Sequence, residues 1–142
     1  MHLIYIAGPY RAHNQFNVKT NIHRAELAGA TLLQYQDLCP IIPHAMFAHW
    51  EGLRGEAFFL AATLEIMRRC DAVYLVPSDW KKSEGTVGEV NEANRLGIPV
   101  LYDQLHLAAW VEAGCPKHGI PLPARGVADG LAPEHGVPVL RP

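Results

Sequence analysis

The stretch SEGTVGEVNEA, which begins at Ser83, combines glycines and carboxylates at the point where a loop turns into a helix. Glycine inside a helix costs about 1 kcal/mol relative to alanine, so Gly85 and Gly88 need a reason. One reason is that a small ligand comes close to the backbone at this turn. Glu89 follows at once and would be held against that ligand. A helix N-terminus favours a carboxylate as the anion, which is the form that a nucleophile needs.

The same residues also fit a structural role. The segment Thr86-Val87-Gly88-Glu89 has the spacing of a capping box, in which Glu89 bonds back to the amide at the helix cap. The spacing alone supports a capping role and a catalytic role for Glu89 equally. Ser83 would place a hydroxyl beside an anion bound at this helix start. Trp80 would either stack on a flat ring or anchor the loop.

Two other loops carry candidate residues. In the GPYR segment, Gly8 either forms an ordinary strand-to-loop turn or lets a ligand approach the backbone. Arg11 can hold a phosphate or a carboxylate with two hydrogen bonds. The segment lacks the lysine and the glycine spacing of a Walker phosphate loop. Tyr5, on the preceding strand, is by itself typical of a core residue, and His44 follows the second strand.

Short apolar runs alternate with helical periodicities along the chain. Strands are predicted in HLIYIAG, LCPIIPH, DAVYLVP and IPVLYD, and helices at about 14–36, in EAFFLAATLEIMRRC, at about 86–96 and in QLHLAAWVEAG. Strands that alternate with helices form βαβ units with right-handed crossovers. The predicted fold is therefore α/β, a small doubly wound, flavodoxin-like or Rossmann-like parallel sheet of four to five strands with flanking helices.

This fold predicts which polar residues share a site. Ligands bind beyond the carboxyl ends of parallel strands, near the point where the strand order reverses. The loops with Arg11, with His44 and with Ser83 all follow strands, so we expect them at one edge of the sheet. Arg11 and Ser83 converge only if the first and third strands are neighbours. Asp71 begins the third strand, belongs to the opposite edge, and is predicted to be structural.

Composition limits the classes of protein. With 142 residues, of which 49% are hydrophobic, we expect one domain at 1–114, followed by a Pro/Gly-rich extension at 115–142 with six prolines. A net charge of −2 offers no basic surface for long nucleic acid. We find neither a signal peptide nor 18 consecutive apolar residues, which argues against a membrane partner. Three cysteines without CxxC spacing are predicted to be buried reduced thiols, so we expect a cytoplasmic protein.

The spacings of histidine and cysteine match no common metal site. The GxSxG nucleophile elbow and Cys/His nucleophile motifs are also missing from the sequence. We therefore expect no metal and no cofactor.

Three segments in this order, YIAGPYR, IIPH and CDAVYLVPSDWKKSEGTVGEVNEANRLGIPV, resemble the nucleoside 2-deoxyribosyltransferase superfamily over about residues 3–102. The Ser-x-Gly-x-x-x-Glu spacing is most similar to its branch of 2′-deoxynucleoside 5′-monophosphate N-glycosidases and to related uncharacterised small domains. The resemblance implies an N-glycosidase that acts on a small nucleotide or nucleoside. It also implies a homodimer, because enzymes of this family commonly complete their sites across two subunits.

The resemblance assigns roles position by position. It implies that Glu89 attacks the anomeric carbon, that Ser83 and Arg11 hold the phosphate, and that Tyr5 belongs to the catalytic group. The remaining residues are expected to line the substrate site: Gly8, His44, Trp80, Gly85 and Gly88.

One position departs from the family pattern. The family's helical aspartate is Thr63 here, and Glu65 lies about 200° further round the helix, so it cannot simply substitute. The proton for the leaving base could come from water, from His44 or from a residue of a partner subunit. Three functions therefore stay open: the N-glycosidase, a nucleoside 2-deoxyribosyltransferase, and a nucleotide-binding domain without catalysis.

Overall fold

The computed structural model describes residues 1–50 and 52–117, which form a parallel sheet of four strands with helices on both faces. The elements in chain order are β1 (His2–Ala7), α1 (Gln15–Leu32), β2 (Leu38–Ile41), α2 (Pro43–Met46), α3 (Glu56–Arg68), β3 (Ala72–Leu75), a 3₁₀ turn (Trp80–Lys82), α4 (Glu84–Leu96), β4 (Val100–Leu101) and α5 (Gln104–Glu112). The predicted α/β class is confirmed. The described sheet has four strands, where four to five were predicted.

The strands lie in the order β2-β1-β3-β4, and every pair is parallel. The chain runs from β1 outward to β2 and then returns across β1 to β3, so the strand order reverses between β1 and β3. Doubly wound sheets open their ligand crevice at such a point. In the β1–β3 pair, Tyr5 lies opposite Val73 and Ala7 lies opposite Leu75.

Alternate residues of β1 serve two different cores. Ile4 and Ile6 pack in the cluster that α1 and α5 cover, whereas Tyr5 and Ala7 pack in the cluster that α3 and α4 cover. A parallel strand that is covered on both faces has a nearly continuous apolar sequence, which explains HLIYIA in β1. Tyr5 therefore faces the helical layer that carries Glu89.

Helix boundaries follow local capping chemistry and differ from the predictions at several points. Helices α1 and α3 end at Leu32 and Arg68, before their predicted ends at about 36 and at Cys70. Helix α4 begins at Glu84, two residues before the predicted start, and ends at Gly97 in the left-handed conformation (φ 71°), as expected for a C-terminal glycine. Helix α2 was not predicted, because four residues are too few to show a helical period. Pro43 occupies its first position, where a missing amide proton does no harm.

Asp71 is structural, as predicted from its place at the start of β3. Its Oδ2 accepts a hydrogen bond of 2.8 Å from the backbone amide of Leu3, and its Oδ1 lies 3.0 Å from Nζ of Lys117. Partial burial alone would raise the pKa of this carboxyl, but these two partners hold it below its ordinary value. The residue joins β1 to β3 at the edge opposite the candidate site.

The three cysteines are free but differ in burial. Only Cys70 is buried, and burial raises the pKa of its thiol to about 11; Cys39 and Cys115 are partly exposed, contrary to the prediction. Within 1–50 and 52–117, no group of three or more His, Cys, Asp or Glu side chains is placed to hold a metal ion. In the same residues, no helix combines the length and apolarity needed to cross a membrane. The extension predicted at 115–142 lies outside the described residues from 118 onward.

Candidate active site

The centre of the site is a hydrogen bond between β1 and α4. The hydroxyl of Tyr5 donates to Oε1 of Glu89 over 2.5 Å. Tyr5 is fully buried, and its ring packs among the residues that α3 and α4 cover. The hydroxyl therefore reaches Glu89 from a fixed position near the carboxyl end of β1, and it orients the carboxylate. Tyr5 is thus both the core residue that its strand predicted and a partner of the candidate catalytic residue.

Burial sets the protonation of this pair. Removal from water raises the pKa of Glu89 from 4.5 to about 7, and the hydrogen bond from Tyr5 opposes the rise. Burial first, and then the nearby Glu89 carboxylate, raise the pKa of Tyr5 well above 10, so the tyrosine stays protonated. The prediction that the helix N-terminus holds Glu89 as the anion is wrong. Glu89 lies in the second turn of α4, where desolvation outweighs the helix dipole.

Ser83, and not Thr86, caps helix α4. The Oγ of Ser83 accepts from the backbone amide of Thr86 at 3.4 Å and from its Oγ1 at 2.9 Å. The interpretation of Thr86 to Glu89 as a capping box is therefore wrong, and the Glu89 carboxylate does not tie up the helix end. Because Oγ of Ser83 already accepts twice, its own proton is the group that it can offer to a ligand.

Helix α3 brings Thr63 to the pair. The Thr63 hydroxyl interacts with the hydroxyl of Tyr5 and also donates to the carbonyl of Leu60 at 3.1 Å. Glu65, two residues further, is exposed and pairs with Arg69 at 2.8 Å, so it does not take the place of the aspartate, as the helical geometry indicated. The position that the resemblance would fill with an aspartate thus holds an alcohol, which is a far weaker acid than a carboxyl.

Gly8 has a packing role at the end of β1. A Cβ at this position would lie 2.7 Å from Cγ2 and 2.8 Å from Cβ of Val76, closer than side chains pack. The carbonyl of Gly8 accepts a hydrogen bond from Nε2 of His44 at 2.9 Å. Contact between strand ends therefore explains the glycine without a ligand, and its contact with substrate stays a prediction.

His44 lies buried at the start of α2, with one ring nitrogen committed to Gly8. Because a carbonyl only accepts, Nε2 carries the proton and Nδ1 is a bare acceptor. Nδ1 is buried and has no hydrogen-bond partner among the described residues. Burial lowers the pKa of His44, although its bonds to the backbone of Gly8 and Pro9 oppose this. The ring is neutral and is not arranged to protonate a leaving base.

Arg11 and Ser83 follow β1 and β3, and those strands are neighbours, as their predicted convergence requires. The guanidinium of Arg11 forms an ion pair with Glu56 at the start of α3. Both side chains are exposed, at 65% and 59%, and exposed pairs contribute at most about 1 kcal/mol. Arg11 can therefore exchange this carboxylate for a ligand phosphate at low cost.

Trp80 is an anchor in this structure. Its ring packs on that of Tyr102 with centroids 6.2 Å apart, and it borders the core under α3 and α4. Gly85 and Gly88 are exposed on one face of α4, and a Cβ at either would meet no atom within 4 Å. Packing therefore explains neither glycine, and the space beside them is open to a ligand.

Two features of the site region were missed from the sequence. Glu56 pairs with Arg11 across a long stretch of chain, and no local pattern signals that contact. Helix α3 exposes apolar side chains on two sides, with Phe58 50% and Leu60 45% exposed, while Met67 is its one buried residue among those described. The signal for this exposure was available, because apolar residues occur all round EAFFLAATLEIMR instead of in one stripe.

Comparison with known proteins gives one family match. The model of the family described as "Domain of unknown function (DUF7768)" matches residues 2–103, which is the whole region that contains β1 to β4. No curated protein matches the sequence significantly.

Two solved structures resemble the chain. One is a 2-deoxyribosyltransferase from the psychrotolerant bacterium Bacillus psychrosaccharolyticus, with a TM-score of 0.49 and 20% identity, and the match covers 69% of each chain. The other is a 2-deoxyribosyltransferase from Leishmania mexicana, with a TM-score of 0.48 and 26% identity. That match covers 71% of this chain and 63% of the other, so this chain spans less than two thirds of the Leishmania enzyme.

Proposed function

This chain belongs to the family described as Domain of unknown function (DUF7768), and we propose that it is an N-glycosidase that acts on 2′-deoxynucleoside 5′-monophosphates. The observation that carries the proposal is the 2.5 Å hydrogen bond between Tyr5 and Glu89 at the strand-order reversal. It holds a desolvated carboxylate in one orientation beside open space over Gly85 and Gly88. The segment resemblance described above supplies the substrate class.

The proposed chemistry follows from the position of Glu89. Its carboxylate attacks the anomeric carbon of the sugar as the bond from that carbon to the base nitrogen breaks. The base leaves with the electron pair of that bond. Water then hydrolyses the glycosyl ester, releases 2-deoxyribose 5-phosphate and regenerates the carboxylate. The transition state resembles an oxocarbenium ion, and a negative charge close to the anomeric carbon stabilises it.

Other residues position the substrate in this scheme. The Tyr5 hydroxyl holds one oxygen of Glu89 and leaves the other to face the sugar. Arg11 and the free proton of Ser83 bind the 5′-phosphate from two loops at the same sheet edge. The phosphate also lies near the first turn of α4, whose amides favour an anion.

An assay for free base tests the proposal against the two alternatives. Purified protein is incubated with each deoxynucleoside and its 5′-monophosphate, with and without a second base as acceptor. A glycosidase releases base from the monophosphate without acceptor, a transferase forms a new nucleoside only with acceptor, and a binding domain does neither. Absence of base release under all conditions would exclude the proposed activity. Glu92→Gln is the matched control for Glu89→Gln, because Glu92 lies on the same helix but bonds to Arg68 and Arg95.

We also propose that the protein is a homodimer that pairs over the exposed apolar surface around Phe58 at the start of α3. In the preceding loop, Trp50 is 50% and Leu53 73% exposed. Phe47 packs on Trp50 and on Phe59, so the aromatic residues form one continuous surface. Contiguous apolar surface of this kind is typical of protein interfaces. Thr63 lies on the same helix, so a second copy would pack on the element that carries Thr63.

Light scattering of the intact protein tests the dimer. The wild type is expected to have twice the monomer mass at working concentrations, and Phe58→Glu is expected to shift it toward the monomer. Phe16→Glu is the matched control, because Phe16 is 76% exposed on α1, away from α3. A monomeric wild type, or dissociation by Phe16→Glu alone, would contradict the proposed interface.

A further inference from the structure

We infer that the preferred substrates carry a base with a fixed positive charge, that is, a heterocycle joined to the sugar and quaternised at a ring nitrogen. The inference rests on the proposed N-glycosidase function and narrows its substrate class. Two independent features carry it: the chemistry available to the leaving base, and the charge around Glu89.

A neutral base leaves as an anion unless a proton is delivered to it, and general acids supply such protons at a gain of about 10²- to 10⁴-fold. Around the pair, Tyr5 has a pKa well above 10 and its proton is bound to Glu89. Thr63 is an alcohol, and its proton is bound to the carbonyl of Leu60. His44 is neutral, with its proton bound to Gly8. Glu89 itself must be deprotonated to attack.

Other carboxyls that the structure describes at this edge are engaged or exposed. Glu56 begins α3, about 10 Å along the helix axis from Thr63. Asp79 lies 2.6 Å from Nζ of Lys82, and Glu84 is exposed at the first position of α4. Glu65 faces away on α3. The described site therefore supplies a nucleophile without a matched acid, and a base that departs as a neutral molecule needs none.

The charges around Glu89 give the second argument. On the neighbouring elements, Arg68 bonds to Glu92 at 2.8 Å and Arg69 bonds to Glu65 at 2.8 Å. Arg11 and Lys82 are likewise paired with other carboxylates. Glu89 thus lies beside a neutral tyrosine, and burial raises the pKa of its carboxyl to about 7. A cationic base next to it would compensate the anion and favour the reactive form.

The proposed step balances without an added proton. As the Glu89 oxygen bonds to the anomeric carbon, the bond from that carbon to the base nitrogen breaks, and its electron pair moves to the nitrogen. The ring then loses its positive charge and leaves as a neutral heterocycle. Water later hydrolyses the ester, and its proton goes to the solvent.

The test compares 2′-deoxyadenosine 5′-monophosphate with its N7-methylated counterpart, which has no ring N–H to lose and so keeps its positive charge, between pH 5 and 8. Because the methylated nucleotide also hydrolyses by itself, the rate with Glu89→Gln is subtracted as background. We expect wild-type kcat/KM, divided by the rate without enzyme, to be at least tenfold higher for the cationic substrate. Activity on the cationic substrate should rise with pH as Glu89 ionises. Activity on the neutral nucleotide should not rise, and should fall above the pKa of Glu89, because that base also needs a proton from the solvent.

Substitution of Thr63 tests the cause of the preference. Thr63→Asp should raise the ratio of neutral to cationic activity by tenfold or more, while Thr63→Asn, of similar size but not acidic, should leave the ratio as it is. Should Thr63→Asp not fold, the wild-type ratio and the two pH profiles decide the question. Equal enhancement of both substrates overturns the inference but leaves the proposed function standing. Cleavage of neither substrate overturns the proposed function itself.

Discussion

The hydroxyl of Tyr5 lies 2.5 Å from Oε1 of Glu89, although 84 positions separate the two residues in the chain. The contact exists because Tyr5 points from β1 toward the layer of α3 and α4, and because α4 follows the strand next to β1. Burial of the Glu89 carboxyl raises its pKa to about 7, and the hydrogen bond from Tyr5 opposes the rise. A partly buried carboxyl with a raised pKa is typical of catalytic sites.

Replacement of Glu89 by glutamine should abolish turnover. The amide keeps the size of the side chain and can still accept from Tyr5, but it cannot attack a sugar carbon. The measurement is base release under single-turnover conditions, with Glu92→Gln as control. The control should retain activity, since Glu92 lies about one turn further along α4 and its carboxylate bonds to Arg68 and Arg95. Full activity of Glu89→Gln would remove Glu89 from the mechanism.

The free energy of unfolding should show the raised pKa of Glu89. A pKa raised on folding gives stability that is present below pH 4.5 and lost as the pH rises through about 7. At about 1.36 kcal/mol per unit, the loss is at most about 3 kcal/mol. Glu89→Gln cannot ionise. Its free energy of unfolding relative to wild type should therefore increase between pH 4.5 and about 7 and stay constant above that range. Denaturant titrations at pH 4, 6 and 8 measure the difference; a gap that does not vary with pH would contradict the shift.

Replacement of Tyr5 by phenylalanine should move the pH profile of catalysis. The hydrogen bond from Tyr5 lowers the pKa of Glu89, so its loss should shift the rising limb of kcat/KM for the cationic substrate to higher pH. Activity at neutral pH should fall, because less of the carboxylate is ionised and it is less well oriented. Tyr74→Phe is the control, because Tyr74 is equally buried but packs in the core on the opposite face of the sheet. If the rising limb of kcat/KM stays at the same pH in Tyr5→Phe, Tyr5 does not act through Glu89.

Arg11 should discriminate nucleotides from nucleosides. A charge-assisted hydrogen bond is worth about 1.5–3 kcal/mol, so Arg11→Ala should reduce kcat/KM for the monophosphate by about ten- to a hundredfold. The unphosphorylated nucleoside should change little. Glu56→Gln should have the opposite effect on the monophosphate, because it releases Arg11 from its ion pair. If the wild-type ratio of the two substrates is near one and Arg11→Ala leaves it there, the transferase becomes the better hypothesis.

Gly8→Ala should reduce stability even in the absence of ligand. The added methyl group would meet Val76 at 2.7 Å, and overpacking of this kind costs about 1–3 kcal/mol. The double variant with Val76→Ala should recover part of that loss, since it removes the opposing methyl groups. Chemical denaturation measures both. A stable Gly8→Ala with impaired substrate binding would instead support direct contact between Gly8 and the ligand.

Much of the architecture was predictable because it follows from local patterns. Apolar runs such as HLIYIA, the helical period after Asn14 and the stop at Gly97 predict the elements, and their alternation predicts the parallel sheet. The rule that ligands bind at the carboxyl ends of the strands then grouped Arg11, His44 and Ser83 at one edge and placed Asp71 at the other. The α/β fold and the structural role of Asp71 were predictable in this way.

Tertiary structure decided the chemistry of individual side chains. Whether Glu89 caps a helix or meets Tyr5 depends on where β1 lies relative to α4, and the local spacing fits both. The pKa of Glu89 depends on how much water the folded chain removes, and local sequence pointed to the wrong direction. Likewise, His44 is committed to Gly8, and Gly8 is constrained by Val76, through contacts between segments far apart in the chain. Local patterns determine elements because backbone preferences act over a few residues, whereas burial and partner choice arise only when distant segments pack together.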